Sequence, residues 1–128
     1  MKRIKVGIVG CGAIGSSLSR AIFKNFFGKA ELAALYDLDG LKSQALAGKL
    51  KRKHLAVKSL ESLIRKSGLV IEAASAAASY KIAKMVLSKR KSVMIMSVGG
   101  IVKGFKELSR LAARNNCRIY IPSGAISG

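Results

Sequence analysis

The chain has 128 residues, of which 50% are hydrophobic, and its 24 basic residues against 6 acidic ones give a formal net charge of +18 at pH 7. This length fits one ordinary domain, which we predict over residues 1–128, and is short for an oxidoreductase that needs separate cofactor and substrate modules. No stretch approaches the roughly 18 consecutive apolar residues of a membrane span, so a membrane partner is not expected.

Predicted strands and helices alternate from one end of the chain to the other. In chain order they are strand 4–9, helix 13–27, strand 30–36, helix 41–50, strand 55–57, helix 60–66, strand 69–74, helix 79–89, strand 92–97, helix 105–114 and strand 118–121. The strands are too apolar to leave one face in water, which favours a parallel sheet covered by helices on both faces. The predicted fold is α/β, a doubly wound parallel (Rossmann) sheet of about six strands.

The first strand leads into a glycine-rich loop, Gly10-Cys11-Gly12-Ala13-Ile14-Gly15, that opens the first helix. In dinucleotide-binding loops the first glycine permits a tight turn, the second lets the backbone approach the pyrophosphate, and the third permits close packing of helix on strand. The helix N-terminus also favours phosphate. We therefore predict cofactor contacts at Gly10, Gly12, Ala13, Ile14 and Gly15, the alternative being glycines that serve only the turn.

Asp37 ends the second strand, about twenty residues after the loop, where such an acid hydrogen-bonds the ribose of the cofactor. A carboxylate there repels a 2′-phosphate, so NAD is the predicted cofactor. Lys42, one turn further on, leaves NADP possible. The alternative is that Asp37 caps the following helix.

Two further strand ends carry small residues, at 73–77 and 97–100. Ligands of open parallel sheets bind outside the carboxyl ends of the strands, so small residues there would let the nicotinamide half lie close to the backbone. We predict cofactor contacts at Ala74, Ser75, Ser97 and Gly99. Small residues can equally serve helix packing, and Ala76 and Ala77 are assigned to neither role.

Four other residues have the side chains of possible reactive or metal-binding groups. Cys11 and Cys117 have neither CxxC nor metal-ligand spacing, which indicates a reducing, cytoplasmic location, no metal site and, for Cys11, a small filler rather than a nucleophile. His54, the only histidine, is interpreted as a surface residue. Glu72 lies within a predicted strand, either as a buried, partnered carboxylate or as a polar contact at the strand end.

The net charge raises the question of nucleic acid binding, because Lys and Arg neutralise phosphates. The basic residues are spread over predicted helix faces and loops, however, with one dense run at 49–54 and no aromatic residue interleaved with it. We interpret that run as a solvated helix end. Nucleic acid is therefore not a predicted partner, although weak attraction to polyanions follows from the charge.

The segments "IVGCGAIG", "ALYD", "VIEAAS", "VMIMSVGG" and "RIYIPSGAISG", in this order and spacing, resemble the nucleotide-binding domain of archaeal-type L-aspartate dehydrogenase. The resemblance covers the whole chain. It implies an enzyme that uses NAD or NADP to convert L-aspartate to iminoaspartate or oxaloacetate and ammonia, in NAD biosynthesis, as a homodimer. It also places Ser123, Gly124 and Ala125 on the substrate side.

Members of that family continue into an α+β domain that supplies the dimer contacts and a catalytic histidine, so we expect this chain to be an inactive cofactor half without catalytic residues. It departs from the family at Ala73, where a cysteine is usual, and at 100–103, where Ala-Phe-Ala-Asp is common. Alternative interpretations are the cofactor domain of another two-domain dehydrogenase (homoserine dehydrogenase or Gfo/Idh-like), a stand-alone NAD-binding regulatory module, and a basic nucleic-acid binder.

Overall fold

The computed structural model describes residues 2–24 and 28–122. In this part of the chain, five parallel strands form one sheet in the order β2-β1-β3-β4-β5. The strands are β1 (Ile4–Val9), β2 (Ala30–Tyr36), β3 (Leu69–Glu72), β4 (Ser92–Ile95) and β5 (Ile119–Tyr120). The helices are α1 (Ala13–Phe23), α2 (Gly40–Lys49), α3 (Leu60–Lys66), α4 (Ala76–Ser88) and α5 (Phe105–Arg114), with 3-10 turns at Lys53–Leu55 and Val98–Ile101.

Each face of the sheet carries its own core, because successive side chains of a strand point to opposite faces. Val6 and Ile8 of β1 belong to the core formed with α1 and α2. Val9 belongs to the larger core formed with α3, α4 and α5. Both faces are covered, as the continuous apolar strands predict, and the predicted doubly wound fold is confirmed.

Over residues 2–24 and 28–122 the sheet has five strands rather than the predicted six. Residues 55–57 make only one isolated bridge, between Ala56 and Leu35 of β2, with the N–H of Val57 donating to the Leu35 carbonyl at 2.9 Å. Leu55 ends a 3-10 turn and Ser59 caps α3, so only a few residues separate the two and a ladder cannot form. The segment lies where a sixth strand would pair, but it is a single bridge.

Several boundaries differ from those predicted, mainly at the carboxyl ends of strands. β3 ends at Glu72 instead of residue 74, and β4 ends at Ile95 instead of residue 97. Helix α4 begins three residues early because the Ser75 hydroxyl accepts the N–H of Ala78 as an N-cap. Helix α1 ends at Phe23, with Lys24 as its C-cap, before the predicted end at residue 27, and residues 25–27 lie outside the described part of the chain.

No helix within the described ranges is both long and apolar enough to cross a membrane.

Candidate functional site

The carboxyl ends of four strands lie in register across the sheet. Val9 of β1 pairs with Tyr36 of β2 and with Glu72 of β3, and Glu72 pairs with Ile95 of β4. The loops that follow these residues therefore emerge side by side along one edge, which we call the carboxyl edge. Register alone brings together the glycine loop, Asp37 and both stretches of small residues.

A crevice of about 490 Å³ opens at the carboxyl edge, a volume usual for small-molecule and cofactor sites. Five of the predicted cofactor residues line it, namely Gly10, Gly12, Asp37, Ala74 and Ser75. Lys42, the lysine that leaves NADP possible, also lines it. The other lining residues are not identified by the sequence motifs: Val9, Tyr36, Leu38, Leu60, Ala73, Ala78, Lys81, Ile82 and Met85. Only Ala78, Ile82 and Met85 among these residues follow a sequence pattern, because their spacing places them on one face of α4.

The three loop glycines have different surroundings. Gly10 has a φ of +102°, and a Cβ there would lie 2.5 Å from the Ala73 carbonyl oxygen. A Cβ on Gly15 would collide with the carbonyl of Gly10, so α1 approaches β1 as closely as it does only because residue 15 is glycine. A Cβ on Gly12 would meet no described atom within 4 Å. The tight turn and the helix packing therefore account for Gly10 and Gly15, whereas Gly12 faces open space.

The first turn of α1 supplies donors to that space. Gly12 is the N-cap, and no side chain caps the helix among the described residues. Because the first amides of a helix have no partner within it, those of Ala13 and Ile14 are suited to bind an anion. Both residues are exposed. The loop thus has the backbone donors and the empty space that a dinucleotide phosphate requires.

Asp37 connects the second strand to the glycine loop. Its Oδ2 accepts the N–H of Cys11 at 2.8 Å, and its Oδ1 accepts the N–H of Asp39 at 2.8 Å. The alternative that Asp37 caps α2 is wrong, because Asp39 is the N-cap and accepts the N–H of Leu41 at 3.1 Å. Each carboxylate oxygen of Asp37 has a second lone pair, which can accept a ribose hydroxyl.

Glu72 is the largest buried polar residue at this edge, with an exposed fraction of 0%. One carboxylate oxygen accepts the N–H of Ala74 at 2.9 Å, and the other accepts the N–H of Ser97 at 2.9 Å. Both interpretations left open by the sequence are therefore correct at once: the carboxylate is buried and partnered, and it contacts strand ends. It joins the loops after β3 and β4 into one unit.

The remaining residues predicted at the nicotinamide side are less closely grouped. Ser75 uses its hydroxyl as the N-cap of α4, and Ser97 precedes the 3-10 turn that contains Gly99. Gly99 is exposed. The packing role proposed for Ala76 has a structural basis, since its carbonyl lies so close to Gly100 that a Cβ there would collide with it. Ser123, Gly124 and Ala125 lie outside the described residues.

The thiols and the histidine do not form a reactive centre. Burial, assisted by the Asp37 carboxylate, raises the pKa of the Cys11 thiol to about 12, so it is not a nucleophilic thiolate at neutral pH. Burial also raises the pKa of Cys117. His54 is exposed in the 3-10 turn at the opposite edge of the sheet, as predicted for a surface residue. The described residues contain no group of three or more side chains able to bind a metal.

Comparison with known families and proteins agrees with the geometry of this edge. The family model described as "Homoserine dehydrogenase, NAD binding domain" matches residues 10–122. The L-aspartate dehydrogenase of Methanocella arvoryzae is 44% identical over 126 residues, which are 97% of this chain and 46% of that protein. The L-aspartate dehydrogenase of Methanocaldococcus jannaschii is 38% identical over 128 residues, 98% of this chain and 47% of that protein. The chain thus spans about half the length of the curated relatives it matches.

Solved structures resemble the fold at low sequence identity. GenD2 from gentamicin A biosynthesis, in complex with NAD, has a TM-score of 0.82 at 18% identity, with 94% of this chain and 34% of that chain covered. UDP-N-acetylglucosamine 3-dehydrogenase GnnA from Acidithiobacillus ferrooxidans has a TM-score of 0.80 at 16% identity, with 94% and 38% covered. The fold is therefore shared with larger dehydrogenases, and the resemblance to L-aspartate dehydrogenases is confirmed at the level of sequence.

Proposed function

The chain belongs to the homoserine dehydrogenase NAD-binding domain family, and from this premise we propose that it is the cofactor half of an L-aspartate dehydrogenase. The observation that carries the proposal is the hydrogen bond from the Cys11 N–H to Asp37, which sets a carboxylate suited to bind ribose beside a helix N-terminus suited to bind phosphate. The relatives named L-aspartate dehydrogenase support the substrate. Residues 1–128 are proposed to form one dinucleotide-binding domain.

Each half of the cofactor has its own set of residues in this proposal. The amides of Ala13 and Ile14 bind the pyrophosphate, and Gly12 leaves room for it. Asp37 binds the adenosine ribose, with Leu38, which is 93% exposed, beside it as an apolar surface for adenine. Bound NAD supplies the hydride acceptor at its nicotinamide ring.

The nicotinamide half is assigned to the loops after β3 and β4. Glu72 joins these two loops through its hydrogen bonds to the backbone of each. The small side chains, hydroxyls and backbone groups proposed to contact the nicotinamide are those of Ala74, Ser75, Ser97 and Gly99. Oxidation of L-aspartate to iminoaspartate requires, in addition, groups that orient the amino acid against the ring and take up its proton. We propose that the rest of the enzyme supplies these, with Ser123, Gly124 and Ala125 on the substrate side.

The cofactor preference depends on two side chains that line the crevice. The negative charge of Asp37 disfavours the 2′-phosphate of NADP, while Lys42 on α2 offers that phosphate a cation. We propose NAD as the main cofactor with limited acceptance of NADP. By the resemblance to L-aspartate dehydrogenases, we further propose a homodimeric enzyme that works in the cytoplasm at the start of NAD biosynthesis.

Calorimetric titration of the chain with NAD and with NADP tests this assignment. Asp37→Asn places an amide group among backbone N–H donors and removes the charge that binds ribose. NAD affinity should therefore fall about tenfold or more, in keeping with the 1.5–3 kcal/mol typical of a hydrogen bond to a charged group. Asp39→Asn is the matched control, because Asn caps a helix as well as Asp does, and its NAD affinity should stay unchanged. Equal NAD affinities for Asp37→Asn and the unaltered chain would contradict the proposal.

A second assay addresses the half-enzyme proposal. The chain mixed with L-aspartate and NAD should produce no NADH, because the groups that orient the substrate are assigned elsewhere. Turnover at the rate of an ordinary dehydrogenase would overturn that assignment.

A second candidate is the cofactor half of a homoserine dehydrogenase, which the description of the matching family model favours. Its cofactor contacts would be the same, so binding to this chain cannot separate the two. The complete enzyme, assayed with L-aspartate and with homoserine, distinguishes them by which substrate reduces NAD.

A further inference from the structure

The fold gathers positive charge at the edge of the sheet opposite the crevice, which we call the amino edge. In this topology each helix returns the chain to the starts of the strands, so helix ends and strand starts lie together. Basic residues end or follow every described α-helix: Arg20 and Lys24 at α1, Lys49, Lys51, Arg52 and Lys53 at α2, Arg65 and Lys66 at α3, Lys89, Arg90 and Lys91 at α4, and Arg114 and Arg118 at α5. Segments far apart in sequence thus contribute to one basic surface.

A groove of about 1150 Å³ runs along this edge, and we call it the amino-edge groove. Its lining includes six cations from the chain start, α3 and the segment before β4, namely Lys2, Arg3, Lys5, Arg65, Lys66 and Lys91. Five of the six are exposed, and the sixth, Lys91, donates from Nζ to the Ser67 carbonyl at 2.5 Å. Among the described residues, Glu31 is the only acidic one that lines the groove.

The other acidic residues lie toward the opposite end of the sheet. Asp37 and Asp39 follow β2, and Glu72 ends β3. Glu61 and Glu107 lie in the first turns of α3 and α5. The one ion pair within the described ranges, Lys84 with Glu107, lies on α4 and α5 and not in the groove. Within the described chain only Glu31, whose register partner is Lys5, opposes the six cations that line the groove, so most of their charge is not neutralised.

An aromatic side chain joins these cations only in the folded chain. Tyr120 of β5 lines the groove and is 42% exposed, and Ile4, 53% exposed, lines it as well. Tyr120 is more than fifty residues from the cations of α3, and it reaches the edge because β5 pairs with β4 through Met94. Both sequence arguments against a nucleic acid, dispersed charge and no nearby aromatic residue, are thus altered by the fold.

We propose that the amino-edge groove binds a single-stranded nucleic acid, with its phosphates on the lysines and arginines and a base stacked on Tyr120. Cationic grooves with aromatic platforms are the usual architecture for binding single strands without sequence preference. A concave site favours a strand over an anionic bilayer, which is planar and reaches only the rim. This function is independent of the cofactor crevice, which lies at the other edge.

The test uses fluorescence anisotropy of a labelled oligothymidylate of about 15 nucleotides, within the site sizes of single-strand binders. Lys5→Gln, Arg65→Gln and Lys66→Gln are combined in one variant. The control combines Lys103→Gln, Lys106→Gln and Arg110→Gln, which removes the same residue types and the same charge at or near α5. The groove variant should bind about tenfold more weakly or worse at low salt, and the slope of log K against log salt should shrink by about 2, near 0.7 for each phosphate that the variant no longer neutralises.

The control variant should keep most of the affinity and the slope of the unaltered chain. Equal losses in the two variants would show attraction by net charge alone and would overturn the proposal. Saturating NAD should leave oligonucleotide binding unchanged. The two proposals can therefore fail separately: absence of NAD binding would not affect the test of the groove, and absence of oligonucleotide binding would not affect the test of the crevice.

The aromatic contact has its own test. Tyr120→Leu should weaken oligothymidylate binding about fivefold or more, the equivalent of 1 kcal/mol or more of base stacking, without weakening binding of inorganic polyphosphate. Phe105→Leu is the control, because Phe105 is also 42% exposed but lies at the start of α5. An unchanged affinity of Tyr120→Leu for oligothymidylate would overturn the assignment. Binding to phosphatidylserine vesicles without binding to oligothymidylate would overturn it as well.

Discussion

The two edges of one sheet illustrate different ways in which a chain builds a binding surface. At the carboxyl edge the in-register ends of β1 to β4 bring short loops together, and backbone amides, glycines and two carboxylates define the crevice. At the amino edge the chain start, the end of α3 and the segment before β4 contribute the lysines and arginines that line the groove. The carboxyl edge depends on close backbone approach and should tolerate little change, whereas the amino edge depends on summed charge and should respond gradually.

The sharpest test of this contrast is Gly15→Ala. Its Cβ would collide with the Gly10 carbonyl, so α1 must move away from β1. We expect a loss of about 1–3 kcal/mol in the free energy of unfolding, and NAD affinity at least tenfold weaker. Gly48→Ala in α2 is the control, since a Cβ there meets no described atom within 4 Å, and it should stabilise the chain by about 0.5–1 kcal/mol. Denaturant unfolding and calorimetry measure both; an unaltered NAD affinity in Gly15→Ala would contradict close approach as the requirement.

Glu72→Gln tests whether the loops after β3 and β4, which we propose to hold the nicotinamide, depend on one buried carboxylate. The amide can accept only one of the two N–H groups and turns a donor toward the other, which costs about 1–3 kcal/mol of stability. NAD should bind more weakly while ADP-ribose, which lacks nicotinamide, binds as before. The exposed Glu61→Gln should cost no more than about 0.3–1 kcal/mol, as for a charge in a first helical turn. Equal fractional losses for NAD and ADP-ribose would indicate a general structural role for Glu72.

Lys42→Ala should change cofactor preference by a smaller amount. Lys42 is exposed and lines the crevice, so its loss should weaken NADP about two- to fivefold, in the range of exposed ion pairs, and leave NAD unchanged. Lys81→Ala removes another crevice lysine, from α4, and serves as the control. If both variants lose NADP affinity equally, the effect comes from the total positive charge of the crevice and not from a specific contact between Lys42 and the 2′-phosphate.

The smallest effect concerns the thiol of the loop. Because the pKa of Cys11 is raised to about 12, the folded chain retains the thiol proton at pH 9, where an unfolded chain has begun to release it. Stability linked to Cys11 is therefore present below about pH 8.5 and is lost as the pH rises toward 12. Iodoacetamide at pH 8.5 should modify the less buried Cys117 first, as mass spectrometry of peptides can show. Faster modification of Cys11 would contradict the burial of the loop.

Much of the carboxyl edge could be predicted from the sequence because its determinants are local. Three glycines at fixed spacing, an apolar strand before them and Asp37 at the end of the next strand specify geometry over a short stretch of chain. Residues such as Leu38 and Met85 were not identified, because lining a crevice depends on which helix face turns toward it. The prediction of a sixth strand at 55–57 was wrong because strand propensity takes no account of the neighbouring elements. The 3-10 turn that ends at Leu55 and the helix cap at Ser59 leave too few residues for a ladder.

The amino-acid sequence alone was enough to predict the alternation of strands and helices, the glycine-rich loop and the family, since hydrophobic period and glycine spacing act over short distances. Tertiary packing determined which end of the sheet each charge occupies. It also brought Glu72 between two loops, and it placed Tyr120 in one groove with the cations of α3, which are more than fifty residues away in sequence. The physical reason is that strand pairing and helix direction, which are long-range properties of the packed chain, fix those distances.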